Sequence, residues 1–163
     1  MATGEVDPHI LAPGRAPTPF TADEIRRGCP AGRTIRLLVE SDGVEPYLRI
    51  SRFVHCDDEG ATIEGSRLTT DGQPLGPSEA GWTTWAQLQA HASFPTERTT
   101  IVAEQIETPL GVLDCLRYTV GDGSTVQTFW FADRAPGMPV KYMTVEAGRI
   151  TNVVTMIADA SPR

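Results

Sequence analysis

Short apolar runs separated by glycine-bearing turns dominate the sequence from Thr34 onward. In the first run Ile35, Leu37 and Val39 alternate with other residues, which places the three side chains on one face of a strand. Similar runs recur between turn sequences such as Asp42-Gly43. The pattern predicts a strand that begins at Thr34, followed by seven more at 47–54, 61–68, 100–107, 113–120, 125–132, 140–146 and 149–157.

Two capping sequences predict short helices. Thr21 is followed three residues later by Glu24, the spacing of a capping box, with Phe20 placed to act as a hydrophobic staple. Glycines and Pro30 should end this helix at about Gly28. The second candidate starts at Thr84, with Gln87 at the same spacing, and should stop before the sequence Ser-Phe-Pro at 93–95.

The spacing of the strands decides how they pair. Connections this short leave no room for crossover helices, so neighbouring strands should run antiparallel and curl to protect their edges. We therefore predict a mainly β (α+β) fold: a curved antiparallel sheet or open half-barrel of about eight strands with two short helices packed on it. A chain of 163 residues suits one domain. We assign residues 1–19, rich in proline, to a flexible tail and residues 20–160 to the domain.

Composition and charge narrow the classes of partner. The formal net charge of −7 opposes binding to nucleic acid or to anionic membranes. No apolar segment approaches the length of a membrane span, and residues 1–20 lack both a basic start and a continuous apolar run. We therefore expect a cytoplasmic protein. Cys29, Cys56 and Cys115 are odd in number and widely spaced, which favours reduced thiols.

The search for catalytic or metal-binding chemistry finds only isolated groups. His55, Cys56, Asp57 and Asp58 are adjacent in sequence, but neighbouring residues of a strand point to opposite faces, and the aspartates are typical of a turn. The sequence has no nucleophile elbow, no phosphate-binding loop and no metalloprotease motif. We expect neither a cofactor nor a metal ion.

Aromatic residues form the remaining candidate site. In the strand at 125–132, Val126 and Trp130 share one side while Phe129 and Phe131 share the other, so both faces must be covered by a helix, a partner or a ligand. Apolar cavities at the mouth of a curved sheet are common binding sites. Five aromatic residues are the candidate lining of such a pocket between helix and sheet: Trp82, Trp85, Phe94, Trp130 and Tyr142.

Three segments resemble a known family of folds. They are the sequence Thr-Pro-Leu-Gly-Val-Leu-Asp-Cys at 108–115, Phe-Trp-Phe-Ala at 129–132, and Pro-Gly-Met-Pro-Val-Lys at 136–141. Together they resemble bacterial proteins whose curved antiparallel sheet is similar to the LolA-like lipoprotein-carrier half-barrel. The resemblance covers about the C-terminal third of the chain. It implies an apolar concave face that binds acyl chains.

Three hypotheses about function follow. The first is a non-enzymatic binder of a small apolar or acyl ligand in the cavity of the sheet, which we favour. The second is a module that self-associates, as a homodimer, or binds another protein through a sheet edge. The third is a cofactor-free enzyme that uses the same cavity, which would need a titratable group pointing into it; the candidates are His55, Asp114 and Arg117.

Overall fold

The computed structural model describes residues 4–162, which form one nine-stranded antiparallel sheet with two short helices. A single 3₁₀ turn at Thr96–Arg98 precedes the fifth strand. The elements in chain order are α1 (Ala22–Gly28), β1 (Thr34–Ser41), β2 (Tyr47–Cys56), β3 (Gly60–Thr69), β4 (Glu79–Thr84), α2 (Trp85–Ala90), β5 (Thr99–Thr108), β6 (Gly111–Asp122), β7 (Thr125–Ala132), β8 (Lys141–Glu146) and β9 (Arg149–Ala160).

The strands lie in the order β4-β3-β2-β1-β9-β8-β7-β6-β5. Most neighbours are consecutive in the chain, and the pairing of β1 with β9 joins the two series of hairpins into one sheet. The sheet stays open, with β4 at one edge and β5 at the other. Because β4 and β5 are consecutive, their connection must cross the whole sheet, and it carries α2 across one face. The predicted open, curved antiparallel sheet is confirmed.

One strand escaped the sequence analysis. β4 has only two apolar side chains, Ala80 and Trp82, and follows a stretch rich in glycine and proline, so neither propensity nor alternation indicates it. Pairing with β3, from Gly60 opposite Thr84 to Gly65 opposite Glu79, holds it in place. The approach is close, because a Cβ atom on Gly60 would lie 2.1 Å from the carbonyl oxygen of Thr83.

Both predicted helices are confirmed, with their capping boxes. The Thr21 hydroxyl accepts a hydrogen bond from the Glu24 amide, and the Glu24 carboxylate accepts one from the Thr21 amide. Thr84 and Gln87 repeat this arrangement at the start of α2. The helices are joined by the buried amide of Gln89, whose Oε1 accepts from the backbone of Ala22 at 2.9 Å.

The core lies between the helices and one face of the sheet. Ile35, Leu37 and Val39 are buried together, as their alternation predicts. They belong to a cluster that also includes Ile25 of α1 and Trp85 of α2. The short helices therefore gain their stability from this apolar contact rather than from their own length.

The proline-rich start of the chain contacts the crossing connection. The amide of Ala16 donates to the carbonyl of Phe94 at 2.8 Å, and the hydroxyl of Tyr118 donates to the carbonyl of Pro17 at 2.7 Å. Ala16 and Thr18 are buried. The division between a tail at 1–19 and a domain at 20–160 stays a prediction, and residues 1–3 of that tail lie outside the described residues.

Candidate functional site

A cleft of about 360 Å³ lies between the end of α2, strands β7 and β8, and the loop that precedes β8. We call it the aromatic cleft. Most of its lining is hydrocarbon or aromatic ring. The residues that line it are Leu88, His91, Ala92, Phe94, Phe129, Phe131, Gly137, Met138, Pro139 and Tyr142.

The sheet builds one wall of this cleft from stacked rings. Phe129 lies directly opposite Tyr142 in the register of β7 and β8, and their ring centroids are 5.9 Å apart. Phe94, from the crossing connection, stacks on Phe129 with a centroid distance of 5.2 Å and an interplanar angle of 22°. Phe131 continues the row at 6.1 Å from Phe129. The rings present a continuous apolar surface.

The other walls come from α2 and the loop. Leu88 and Ala92 are four residues apart on α2 and the turn that follows it, so their side chains lie on one side of the helix axis. The loop is held by Arg33, whose Nη1 donates to the carbonyl of Pro136 at 2.6 Å. Met138 and Pro139 of the same loop line the cleft.

The cleft holds few polar groups. His91 and Tyr142 are the lining residues with polar side chains. Within the described part of the chain, neither the imidazole of His91 nor the hydroxyl of Tyr142 forms a hydrogen bond or ion pair, so both are free to contact a ligand. Such a cleft can select an apolar body and orient it by one or two hydrogen bonds.

The structure brings together two of the five predicted pocket residues. Phe94 and Tyr142 line the aromatic cleft. Trp85 is 3% exposed and stacks on Phe53 at 6.5 Å, and its Nε1 donates to the carbonyl of Asp57 at 2.8 Å. Trp82 lies on edge strand β4 and is 49% exposed.

Trp130 lies on the opposite face of the sheet from Phe129 and Phe131. Its Nε1 donates to Oε2 of Glu104 at 2.7 Å, and Nζ of Lys141 lies 5.5 Å from its ring centroid. On the outer face of β7, Trp130 is therefore contacted by the polar side chains of Glu104 and Lys141. The helix and the crossing connection cover the inner face. The alternation in this strand predicts that both faces are covered, but it does not identify the groups that cover them.

Sequence reasoning missed several lining residues for one reason. Phe129, Phe131 and Leu88 were visible as apolar positions of a strand and a helix, and Met138 and Pro139 as part of a loop. Nothing local says that these elements meet. The one signal in the sequence is the pair of rings at Phe129 and Phe131 shortly before a proline-rich loop, since small-molecule sites are lined mainly by apolar and aromatic side chains.

The candidate titratable groups lie outside the aromatic cleft. Arg117 pairs with Glu104 at 3.1 Å, and Asp114 accepts from Gln105 at 2.9 Å. The exposed imidazole of His55 lies 3.9 Å from the carboxylate of Asp57. Asp57 also accepts from the amides of the turn that follows β2, as a turn residue should.

The cysteine thiols lack the surroundings of a nucleophile. Burial raises the pKa of the Cys29 thiol above its ordinary value, although the nearby Arg33 opposes the shift. Burial likewise raises the pKa of Cys56 and Cys115. Within residues 4–162, no three His, Cys, Asp or Glu side chains gather closely enough to hold a metal ion. No helix in that range is long and apolar enough to cross a bilayer.

Comparison with known structures finds the same fold elsewhere. The chain is similar to a protein of YmcC-like fold from Bacteroides fragilis, with a TM-score of 0.51 and 7% identity over 82% of this chain and 97% of that one. It is also similar to MucB, with a TM-score of 0.56 and 10% identity over 86% of this chain and 58% of that one.

A third structure, CT021 from Chlamydia trachomatis, has a TM-score of 0.45 and 9% identity over 85% of this chain and 91% of that one. No protein-family profile matches the sequence, and no curated protein matches it either. What the comparisons show is a β-rich fold shared with the first two structures.

Proposed function

We propose that the protein binds a small apolar ligand, an acyl chain or an aromatic ring, in the aromatic cleft and releases it unchanged. The observation that carries the proposal is the continuous wall formed by Phe94, Phe129 and Tyr142. The cleft volume of about 360 Å³ is in the range of small-molecule sites, which are mostly apolar with few polar groups. His91 and Tyr142 would orient the ligand.

The resemblance to LolA-like carriers supports the acyl form of this proposal. Phe129, Phe131 and the loop at 137–139 line the cleft, and they fall within two of the segments that carry the resemblance. That family binds acyl chains on a concave apolar face. The same part of the chain therefore carries both the family resemblance and the apolar surface.

A series of straight-chain alcohols of increasing length tests the proposal. Alcohols are neutral, so their binding reports the apolar surface without ionic attraction. Each buried methylene contributes about 0.8 kcal/mol, which corresponds to roughly fourfold in affinity. Isothermal titration should show this gain with each added carbon until the cleft is full. An affinity that does not change with chain length would contradict the proposal.

A pair of variants on one helix tests the location. Ala92 lines the cleft, so Ala92→Phe should fill it and abolish alcohol binding. Ala90, the last residue of α2, is exposed and does not line the cleft, so Ala90→Phe is the matched control and should bind as wild type does. Unchanged binding by Ala92→Phe would place the ligand elsewhere.

Native mass spectrometry of the purified protein provides a second test. A co-purifying acyl or aromatic compound, recovered by denaturing extraction at near-stoichiometric amount, would support the proposal and identify the ligand class. Its absence from the Ala92→Phe variant, purified in parallel, would tie it to the aromatic cleft.

We also propose, as a second function, self-association through the edge of β5. β5 is ten residues long and pairs with β6 alone among the described strands, which leaves one row of backbone groups available to a second copy. Light scattering over a range of concentrations should show a dimer. Val102→Lys, a charge in the middle of this edge, should return it to a monomer; a wild-type monomer throughout would rule the proposal out.

A further inference from the structure

Two arginines face each other across strands β2 and β3. Arg49 lies directly opposite Arg67 in the antiparallel register. Directly opposite residues have Cβ atoms only about 4.5–5.5 Å apart, and like charges at such positions destabilise a sheet. Arg49 is also opposite Leu37 of β1, so both arginines lie on the face of the sheet that carries the core.

Neither arginine of this pair has an ion-pair partner within residues 4–162. Other arginines have partners: Arg33 binds the carboxylate of Asp159 at 2.8 Å, and Arg117 binds Glu104 at 3.1 Å. Neither Arg49 nor Arg67 forms an ion pair or a side-chain hydrogen bond in the described chain. Glu79 lines the same cleft but pairs with neither of them. The two guanidinium groups therefore have hydrogen-bond donors available to a ligand.

The pair lines a cleft of about 380 Å³, which we call the arginine cleft. Ser51 and Ser66 add hydroxyl groups to its lining, and Leu75 forms an apolar wall. A neighbouring cleft of about 520 Å³ shares Arg67 and Leu75 and adds the ring of Tyr47 together with the carboxylates of Glu45 and Asp71. The guanidinium donors of Arg49 and Arg67 thus lie next to the apolar surface of Leu75 and Tyr47 on one side of the sheet.

The apolar wall is held in place by backbone hydrogen bonds. The amide of Leu75 donates to the carbonyl of Arg67 at 2.9 Å. Nearby, the amide of Thr69 donates to the carbonyl of Gln73 at 2.8 Å, and the amide of Gln73 donates back to the Thr69 hydroxyl at 2.9 Å. The loop therefore folds back on β3, and Leu75 is positioned before any ligand arrives.

We propose that the arginine cleft binds a small oxyanion with an apolar substituent, of which an alkyl phosphate monoester is the simplest representative. Guanidinium groups bind phosphate and carboxylate oxygens in a bidentate manner, and an anion between Arg49 and Arg67 would remove their mutual repulsion. The apolar wall at Leu75 favours an organic ester over the free ion. The site is separate from the aromatic cleft and does not depend on the function proposed above.

Calorimetric titration with inorganic phosphate and with hexyl phosphate, at low ionic strength, tests the proposal. Hexyl phosphate should bind more tightly than inorganic phosphate, because its chain contacts Leu75. A charge-assisted hydrogen bond contributes about 1.5–3 kcal/mol, so Arg49→Gln and Arg67→Gln should each weaken binding by about tenfold or more. Equal affinity for the two probes would overturn the apolar part of the proposal.

Arg52→Gln is the matched control. Arg52 is on β2, three residues from Arg49, so its side chain is on the other face of the sheet, and its replacement changes the net charge by the same amount. Hexyl phosphate should bind this variant and Ala92→Phe as it binds wild type. A loss in Arg52→Gln equal to that in Arg67→Gln would show a general charge effect and overturn the site.

Thermal unfolding without phosphate separates binding from folding. Arg67 is exposed, so Arg67→Gln should unfold at the wild-type temperature or above it, because the repulsion across the strands is gone. That variant decides the outcome if Arg49→Gln folds poorly. No measurable binding of hexyl phosphate to wild type, or undiminished binding to Arg67→Gln, would overturn the proposal.

Discussion

The aromatic cleft and the arginine cleft belong to the same face of one sheet, yet their chemistry is opposite. Strand β2 shows where the character changes. Phe53 lies under Trp85 of α2, whereas Ser51 and Arg49, two and four residues away on the same face, line the arginine cleft. The helices and the crossing connection cover only part of the face. Strand residues are apolar where they are covered and polar or charged where they meet solvent.

The two regions should therefore differ in how much they contribute to the stability of the fold. The covered region should supply most of the stability, because it contains the buried cluster and its hydrogen-bonded anchors. The arginine cleft should supply little or no stability, since it holds two like charges that form no ion pair in the described chain.

Replacing Arg33 with methionine should have the largest effect. Arg33 is 1% exposed, and its guanidinium binds Asp159 through two hydrogen bonds while Nη1 also reaches the carbonyls of Gly28 and Pro136. Breaking a buried pair on one side costs about 3–5 kcal/mol. Urea denaturation should show a loss of this size in the free energy of unfolding.

The control for this prediction is Arg26→Met. Arg26 forms exposed ion pairs with Asp23 and Asp58, and surface pairs of this kind contribute about 1 kcal/mol or less. If the two variants lost stability equally, Arg33 would not anchor the loop at Pro136 and the covered region would not depend on it.

Tyr118→Phe should remove about 1 kcal/mol near neutral pH, because the hydroxyl would no longer donate to the carbonyl of Pro17. The pH dependence sharpens the prediction. Burial raises the pKa of the Tyr118 hydroxyl to about 12 in the folded protein, whereas an unfolded tyrosine ionises at about 10. Above that pH the unfolded chain releases a proton that the folded protein keeps.

Wild type should therefore lose the contribution of this hydroxyl as pH rises from about 10 to 12, and Tyr118→Phe should not. The difference in unfolding free energy between the two proteins, measured by denaturation at several pH values, should be constant below that window and shrink within it. A difference that stays constant to the highest pH would contradict the burial of this group.

Thr84→Ala should weaken α2 by about 1 kcal/mol through loss of its capping hydroxyl. The effect should be local to the covered region. Hydrogen exchange should accelerate at the amides of α2 and the crossing connection and leave β2 and β3 unchanged at the arginine cleft. Thr21→Ala, which removes the equivalent cap of α1, is the matched comparison. Equal acceleration at Arg49 and Arg67 would show that the two regions are one unit.

Arg67→Gln should have the smallest effect on stability, within about 0.5 kcal/mol of wild type and of favourable sign at low ionic strength. Salt screens exposed charges, so the gain should disappear as salt is added. Denaturation at two salt concentrations measures this. A clear loss of stability would mean that Arg67 supports the fold and would remove the contrast between the two clefts.

The predictable features are local in sequence. The capping boxes at Thr21 and Thr84 involve groups three residues apart, and a hairpin turn such as Ala147-Gly148 depends on its own two residues, which both have positive φ, 49° and 77°. The alternation at Ile35, Leu37 and Val39 also needs only one strand. These short-range signals specified most of the strands, both helices and the antiparallel pairing of neighbours.

The features that escaped prediction join distant parts of the chain. Arg33 and Asp159 are 126 residues apart, and β4 is a strand only because β3 offers it an edge. The predicted pocket residues Trp82, Trp85 and Trp130 lie apart in the fold. Trp82 is on edge strand β4, Trp85 is buried between α2 and Phe53 of the sheet, and Trp130 is on the outer face. An aromatic ring can be buried in many different packing arrangements, so the residue type alone does not predict which arrangement forms.

Short-range signals in the chain thus specify the local elements and the antiparallel pairing of strands that are joined by tight turns. The pairing of β1 with β9 and the path of the connection across the sheet arise only in the folded chain, and they determine which side chains share a cleft. Caps, turns and alternation act between residues a few positions apart, so they can be read from the sequence. The aromatic cleft and the opposed arginines form only when strand register and the crossing connection bring distant segments together.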